Sequence, residues 1–121
     1  MVNCIVIDDN SDIVEVIKEL LEMIGHKVLA TGIDGLQAMN LYEKYRPDLI
    51  FIDLKMPKYD GFYAIPKIRE LEHDSKIITM TDGNLTVDEY VMLNSLKTNA
   101  ILYKPFSTKD LRKVISNIFS N

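Results

Sequence analysis

The sequence predicts an α/β fold in which five strands alternate with five helices and form one parallel sheet. Short apolar runs bounded by polar, glycine or proline residues predict buried strands, because each run is too short for a helix. The clearest are Asn3–Ile7, residues 49–52, residues 77–80 and Ala100–Tyr103. Helical spacing of apolar residues between the runs, with right-handed crossovers covering both sheet faces, predicts a doubly wound three-layer sandwich of the flavodoxin-like type.

Composition predicts one soluble domain. The chain has 121 residues and an apolar fraction of 47%, enough for one core, so we expect a single domain spanning residues 1–121. Its net charge of -4 and the absence of a basic run argue against direct nucleic-acid binding. No apolar stretch is long enough for a membrane span and no leader is evident, so we expect a cytoplasmic protein that does not bind membranes. The lone Cys4 is expected to be a buried packing group.

The first half of the chain is predicted to contain two helices separated by a strand. Residues 12–24 form the first helix, and Gly25 follows where a left-handed cap is needed. Residues 27–31 form the strand. Residues 34–45 form the second helix, which ends before Pro47 because the residue preceding a proline disfavours helical geometry. The apolar residues at helical spacing are Ile13, Ile17, Leu20, Leu21 and Ile24, then Ala38, Leu41, Tyr42 and Tyr45.

Three helices are predicted in the second half. A loop from Leu54 to the turn signal Asp60-Gly61 precedes the third helix, in which Pro66 is expected to remove a backbone donor or to kink the chain. Thr86 and Glu89 form a capping-box pattern before the fourth helix, and Ser107 and Asp110 mark the start of the fifth. The inward residues are Phe62, Ile65, Ile68 and Leu71 in the third helix, Tyr90, Val91 and residues 93–96 in the fourth, and Leu111, Val114, Ile115 and Ile118 in the fifth.

Five polar residues lie at or just beyond the C-terminal ends of the predicted strands, namely Asp8, Asp9, Asp53, Thr81 and Lys104. The carboxyl ends of parallel strands share one sheet edge, where open α/β sheets bind their ligands. Among the common strand orders, 2-1-3-4-5 places the first and third strands side by side. We adopt that order because it brings the three carboxylates together.

This combination of side chains favours metal-assisted phosphoryl chemistry. Three neighbouring carboxylates repel one another, and a divalent cation such as Mg²⁺, which prefers oxygen ligands, compensates them. Asp8 and Asp9 would position the metal, leaving one oxygen of Asp53 free as a nucleophile toward phosphorus. Lys104 would supply positive charge to the phosphoryl oxygens, and the Thr81 hydroxyl would supply a hydrogen bond.

Over essentially its whole length the chain resembles the receiver domain of two-component response regulators, in particular the CheY-like chemotaxis type. The resemblance rests on five features in order along the chain. They are the acidic pair Asp8-Asp9, Asp53 followed by Met56-Pro57, the later turn Asp60-Gly61, Thr81 at the end of the fourth strand, and the triplet Lys104-Pro105-Phe106. Each feature alone occurs by chance in many proteins, whereas all five at strand ends are hard to obtain otherwise.

The resemblance implies a signalling phosphoacceptor and not a turnover enzyme. Asp53 would accept a phosphoryl group from a sensor histidine kinase or a phosphotransfer protein. Asp8, Asp9, Asp53 and the main-chain carbonyl of Lys55 would bind Mg²⁺. Thr81 would be the switch hydroxyl, Lys104 the phosphate-binding lysine, and the Lys104-Pro105 bond is expected to be cis. A downstream protein target would bind the face made by helix four, strand five and helix five.

Three residues depart from the family pattern. Asp82 occupies the position after Thr81 that is usually small, where it could repel a phosphodonor, slow phosphorylation or point to solvent. Ile101 stands where an aromatic side chain often rotates with the switch, and Tyr103 lies two positions further on the same strand face. Lys55 is basic at a variable position, where it could pair with Asp82, tune dephosphorylation or remain solvated.

Other functions remain open from the sequence. One is a receiver fold that binds partners without phosphorylation, which Asp82 and Ile101 keep under consideration. A Mg²⁺-dependent phosphotransferase or phosphatase is less favoured, because the short connections leave no room for a substrate cap. A flavodoxin-like cofactor binder is disfavoured by the acidic turn after the first strand, and a P-loop is excluded by its missing motif.

Overall fold

The computed structural model describes residues 1–120 and contains five strands that alternate with five helices. All strand pairings are parallel, and the order β2-β1-β3-β4-β5 confirms the predicted flavodoxin-like topology. The strands are β1 (Asn3–Ile7), β2 (Lys27–Gly32), β3 (Leu49–Asp53), β4 (Ile77–Thr81) and β5 (Ala100–Tyr103). The helices are α1 (Ser11–Met23), α2 (Gly35–Tyr45), α3 (Gly61–Leu71), α4 (Val87–Leu96) and α5 (Thr108–Phe119).

The sheet is covered on both faces, which explains why its strands are apolar at successive positions. Alternate residues of β1 and β3 enter two separate cores. One core contains Cys4 and Phe51 and packs against α1 and α5. The other contains Ile5 and Ile52 and packs against α2, α3 and α4. Every residue of β3 is buried, so Asp53 at its end is held by the centre of the sheet.

Each helix begins at a side-chain cap immediately beyond the carboxyl edge of the sheet. The N-cap residues are Asn10, Asp34, Asp60, Thr86 and Ser107. The predicted capping box of Thr86 with Glu89 is present. Ser107 and Asp110, predicted to mark the start of the last helix, form a second capping box. Because these side chains satisfy the first backbone donors of the helices, the chain can turn from a buried strand into a helix within a few residues.

Several residues that were predicted to face inward are exposed. They are Tyr45, Tyr90, Val91 and, within residues 93–96, Asn94 and Ser95. Tyr45 is the last residue of α2, and Val91 faces away from Leu93, the buried residue of α4. Pro66 lies within α3 without ending it. Its side chain is exposed, so the missing backbone donor is accommodated at the solvent side of the helix.

None of the helices within residues 1–120 combines the length and the apolar composition that a bilayer crossing requires.

Gly61 brings the start of α3 directly against the end of β3. Its N–H donates to Leu54 O at 3.0 Å. A Cβ atom on residue 61 would lie 2.7 Å from Asp53 O, closer than real Cβ contacts, and 3.0 Å from Leu54 Cα, tighter than most of them. The absence of a side chain at residue 61 therefore lets the backbone around Asp53 adopt its position.

Gly61→Ala is expected to lower the free energy of unfolding by about 1–3 kcal/mol, because the added methyl group collides with rigid backbone. Helix propensity alone would have the opposite sign, since alanine is favoured over glycine in helices by about 1 kcal/mol. Urea denaturation measures the change. Ser11→Ala, at the exposed first residue of α1, is the control and should change stability by less than about 0.5 kcal/mol. A Gly61→Ala protein as stable as the parent would refute the steric explanation.

Candidate functional site

The three predicted carboxylates lie together at the carboxyl edge of the sheet. Asp8 and Asp9 follow β1, and Asp53 ends β3, the strand paired with β1. One oxygen of each carboxylate lies within 4.8 Å of those of the other two. Asp8 and Asp53 are buried, whereas Asp9 is exposed to solvent. The strand order therefore creates an acidic cluster from residues far apart in sequence.

Lys104 brings a positive charge into this cluster. Its Nζ lies 2.5 Å from Asp8 Oδ2 and 3.4 Å from Asp53 Oδ1, and 17% of its side chain is exposed. The backbone N–H of Lys104 donates to Thr81 O at 2.8 Å, which fixes the residue beyond β5. The Lys104-Pro105 peptide bond is cis, as the family resemblance implied.

Asp8 is held at both carboxylate oxygens. While Oδ2 pairs with Lys104, Oδ1 accepts a hydrogen bond from Asn10 N at 3.0 Å. The Asn10 side chain in turn caps α1 by accepting from the N–H groups of Asp12 and Ile13. The role of Asn10 was missed from the sequence, although an Asn between a strand end and a helical pattern is a recognisable N-cap signal. The cap orients the loop that carries the acidic pair.

The surroundings of Asp53 oppose its ionisation. Burial and the neighbouring charge of Asp8 raise the pKa of Asp53 to about 6, although Lys104 acts in the opposite direction. Burial alone would lower the pKa of Lys104, but the hydrogen bond to Asp8 and the charges of Asp53 and Asp8 outweigh it, so this pKa is raised. One ammonium therefore leaves three carboxylates only partly compensated.

The donor set fits a divalent cation. Asp8, Asp9 and Asp53 present carboxylate oxygens at one point, and hard oxygen ligands of this kind suit Mg²⁺. A cation there would relieve the repulsion that raises the pKa of Asp53. Lys55, whose main-chain carbonyl was predicted as a further ligand, lies two residues beyond Asp53 in the loop before α3.

Thr81 lies on β4, the strand adjacent to Asp53. The Met80 Cα is the register partner of Asp53, so Thr81 lies one position further toward the edge. Its buried side-chain oxygen accepts a hydrogen bond from Gly83 N at 3.1 Å. Because a hydroxyl has one proton to donate in addition to its lone pairs, that proton is still available to a further acceptor.

The three departures from the family pattern have distinct environments. Asp82 is exposed, and its Oδ1 accepts from Asn84 N at 2.9 Å. Ile101 is partly buried in the core formed with α2, α3 and α4. Lys55 donates to Asn84 O at 2.9 Å and lies 3.1 Å from Glu89 Oε1. Lys55 is therefore exposed, as expected, but its ammonium pairs with Glu89 and not with Asp82. Its link to α4 was missed because no local sequence pattern connects residues 55 and 89.

An apolar groove runs outward from the cluster and was also missed from the sequence. Its volume is about 560 Å³. Its polar end contains Asp53, Thr81 and Lys104, and its apolar walls include Val16, Leu20 and Phe106. Val16 is 54% exposed. Exposed apolar residues beside Phe106 become recognisable as a groove only when α1 and the segment after β5 are placed side by side.

Comparison with known proteins identifies the same architecture elsewhere. The family profile of the response regulator receiver domain matches residues 4–116. A probable transcriptional regulator, ycf27 of Guillardia theta, is 35% identical over 107 residues, which are 88% of this chain and 41% of that protein. The chain thus spans less than half the length of this curated relative.

Solved structures give the same result for the fold. The receiver domain of a sensor histidine kinase from Pseudomonas aeruginosa PAO1, described with a magnesium ion in its active-site cleft, has a TM-score of 0.88 and 29% identity, with 99% of this chain and 98% of that chain covered. CheY in a CheX-CheY-BeF3-Mg complex from Borrelia burgdorferi has a TM-score of 0.89 at 19% identity, covering 98% of this chain and 90% of that chain. At 19% identity the likeness shows the fold alone.

Asp53→Asn is expected to stabilise the metal-free protein near pH 7.5 by about 1–2 kcal/mol, since solvent screens part of the effect. The folded-state pKa of Asp53 is raised from 3.8 to about 6, so the unfolded chain ionises first as the pH rises. The destabilisation of the folded state by the ionised Asp53 carboxylate therefore develops between these two pKa values as the pH rises, and it is complete above the higher one. Most of the gain should therefore disappear near pH 4.

Urea denaturation in a chelator at the two pH values measures this difference. Asp74→Asn removes the same charge from an exposed side chain and serves as the control. A stabilisation by Asp53→Asn that is equal at both pH values would contradict the electrostatic origin, as would a loss of stability near neutral pH.

Proposed function

The chain belongs to the response regulator receiver domain family, and on that premise we propose that Asp53 accepts a phosphoryl group from a phosphohistidine of a sensor histidine kinase or a phosphotransfer protein. The observation that carries the proposal is the buried Asp53 carboxylate, flanked by Asp8 and Asp9 and within 3.4 Å of Lys104 Nζ. A nucleophilic carboxylate beside cationic groups suits acyl phosphate formation. We take residues 1–121 as one such receiver domain.

The transfer exchanges one bond to phosphorus for another. An Asp53 carboxylate oxygen attacks the phosphorus, the bond from phosphorus to the imidazole nitrogen breaks, and its electron pair stays with the protonated donor ring as neutral histidine. Lys104 offers positive charge to the phosphoryl oxygens, and the Thr81 hydroxyl can donate a hydrogen bond to them. Hydrolysis of the acyl phosphate returns the Asp53 carboxylate and inorganic phosphate, so the domain processes its own modification and no external substrate.

The acidic residues would hold Mg²⁺ during this reaction. Asp8, Asp9, Asp53 and the main-chain carbonyl of Lys55 are the proposed ligands. When bound, the ion neutralises charge on the phosphoryl oxygens. The proposal is supported by the undercompensated charge of the cluster and by the magnesium ion described in the cleft of the Pseudomonas receiver domain.

Phosphorylation would act as a signal through its charge. A phosphoryl group adds about -1.5 to -2 charges at neutral pH, and nearby groups must rearrange to match it. Thr81 is proposed to turn toward the phosphoryl group, which changes the segment leading to α4. A downstream protein would read the change on the face of α4, β5 and α5, where Val87, Val91 and Tyr103 are exposed.

The competing function is a receiver fold that binds a partner without phosphorylation. The observation that favours it is Ile101, which is partly buried where an aromatic switch residue often stands. This alternative does not require the Asp53 carboxylate to be phosphorylated. Phosphorylation of Asp53 therefore separates the two functions.

Incubation with acetyl phosphate and Mg²⁺ should add one phosphoryl group to the protein, seen as a mass increase of the intact chain. In this reaction the bond from phosphorus to acetate breaks and acetate leaves. Asp53→Asn should abolish the increase because it removes the nucleophile. Asp74→Asn, at an exposed acid outside the cluster and the groove, is the control and should retain it. An unmodified wild-type protein, or an undiminished increase in Asp53→Asn, would refute the assignment.

Asp9→Asn should weaken Mg²⁺ binding roughly tenfold or more, since it replaces an anionic ligand by a neutral amide. The readout is the rise in melting temperature with Mg²⁺ concentration in unphosphorylated protein, because a ligand that binds the folded state stabilises it. Asp74→Asn again removes one negative charge, from an exposed side chain that belongs neither to the cluster nor to the groove. If the two variants respond alike to Mg²⁺, Asp9 is not a ligand.

A further inference from the structure

Lys55 connects the loop after Asp53 to the start of α4. Its Nζ donates to Asn84 O at 2.9 Å and lies 3.1 Å from Glu89 Oε1. Asn84 belongs to the β4–α4 loop, residues 82–86, and Glu89 is the third residue of α4. One ammonium group thus joins three segments that are separate in sequence.

Glu89 has two partners that can be altered separately. Its Oε1 accepts from Thr86 N at 2.8 Å, which completes the capping box of α4, and it also pairs with Lys55. The bond from Thr86 and the bond from Lys55 hold the pKa of Glu89 below its ordinary value. A partly exposed ion pair normally contributes little. Here the same ammonium also bonds a backbone carbonyl, so the pair restrains the loop itself.

The restrained loop is the one that must respond to Thr81. Gly83 N donates to the Thr81 oxygen at 3.1 Å, and Tyr90 donates to Gly83 O at 3.0 Å. If the Thr81 side chain turns toward a phosphoryl group on Asp53, the loop must either follow or lose the bond from Gly83. A loop tied through Asn84 to Lys55 resists that movement.

We propose that Glu89 is a positioning residue that holds Lys55 against the β4–α4 loop and thereby slows phosphorylation of Asp53. The inference rests on the proposed function. Release of Lys55 should speed phosphorylation of Asp53 in two ways. The loop becomes free to follow Thr81, and the ammonium becomes free to face the anionic phosphodonor from the rim of the groove, which Lys55 lines.

Glu89→Gln tests the ion pair while sparing the cap. The glutamine oxygen can still accept from Thr86 N, so α4 should begin at the same residue. The initial rate of phosphorylation by acetyl phosphate with saturating Mg²⁺, followed by intact mass, is expected to rise about two- to fivefold, the range that corresponds to the loss of an exposed pair.

Two comparisons separate this role from general effects of charge. Asp88→Asn removes one negative charge from an exposed residue of the same helical turn, next to Glu89 in sequence, and should leave the rate unchanged. Glu89→Gln should also have no further effect when Lys55 is replaced by Met, because the residue through which it acts is gone. Equal acceleration by Asp88→Asn, or an undiminished effect of Glu89→Gln in the Lys55→Met background, would overturn the inference.

Amide hydrogen exchange, measured without a phosphodonor, tests whether Lys55 restrains the β4–α4 loop. Residues 82–86 should exchange faster in Glu89→Gln than in Asp88→Asn, while β1 and β3 stay unchanged. Unchanged loop exchange, or faster exchange with no gain in phosphorylation rate, would overturn the inference and leave the proposed function intact. A wild-type protein that acetyl phosphate does not modify would instead refute the proposed function and this inference with it.

Discussion

The pairing of Lys104 with Asp8 is the interaction on which the site depends. It places an ammonium among acidic groups that would otherwise repel one another at the end of the sheet. The compensation is partial, since the pKa of Asp53 still rises to about 6. Because the site is short of positive charge, it favours binding of a cation and disfavours binding of an anion that is not accompanied by a cation. In the proposed reaction, this imbalance would favour binding of a phosphoryl group together with the metal.

The fold supplies the geometry that this balance requires. Parallel strands end at one edge, and β1 and β3 are neighbours although more than forty residues separate their acidic ends. Side-chain caps at Asn10 and Asp60 make the connections short, and Gly61 allows α3 to begin against the backbone of Asp53. Stability of the sheet and placement of the carboxylates therefore have a common origin, because both follow from burial of β3 on two faces.

Much of this could be predicted from the sequence because its signals are local. Apolar runs and caps predicted the strands and helices, and polar residues at strand ends predicted the edge that carries the site. The strand order itself was chosen among the common arrangements because it brings the carboxylates together. Contacts between side chains remote in sequence were not accessible in this way. Lys55 meets Glu89, and Val16 faces Phe106, through packing that no periodicity encodes. Val91 was misplaced because α4 is apolar around much of its circumference, so spacing could not distinguish its buried side from its exposed one.

Few residues of α4 are buried, and this lowers the free energy needed to displace the helix. Within α4, which lies wholly in the described part of the chain, Leu93 is the one buried residue. β3, in contrast, is buried at every position. Local opening free energies scale with such buried contacts, so α4 can shift or partly unfold while the strands stay fully formed. The domain thus combines a rigid sheet that carries the acidic cluster with a helix held by few buried contacts, so displacing α4 costs less free energy than displacing a strand.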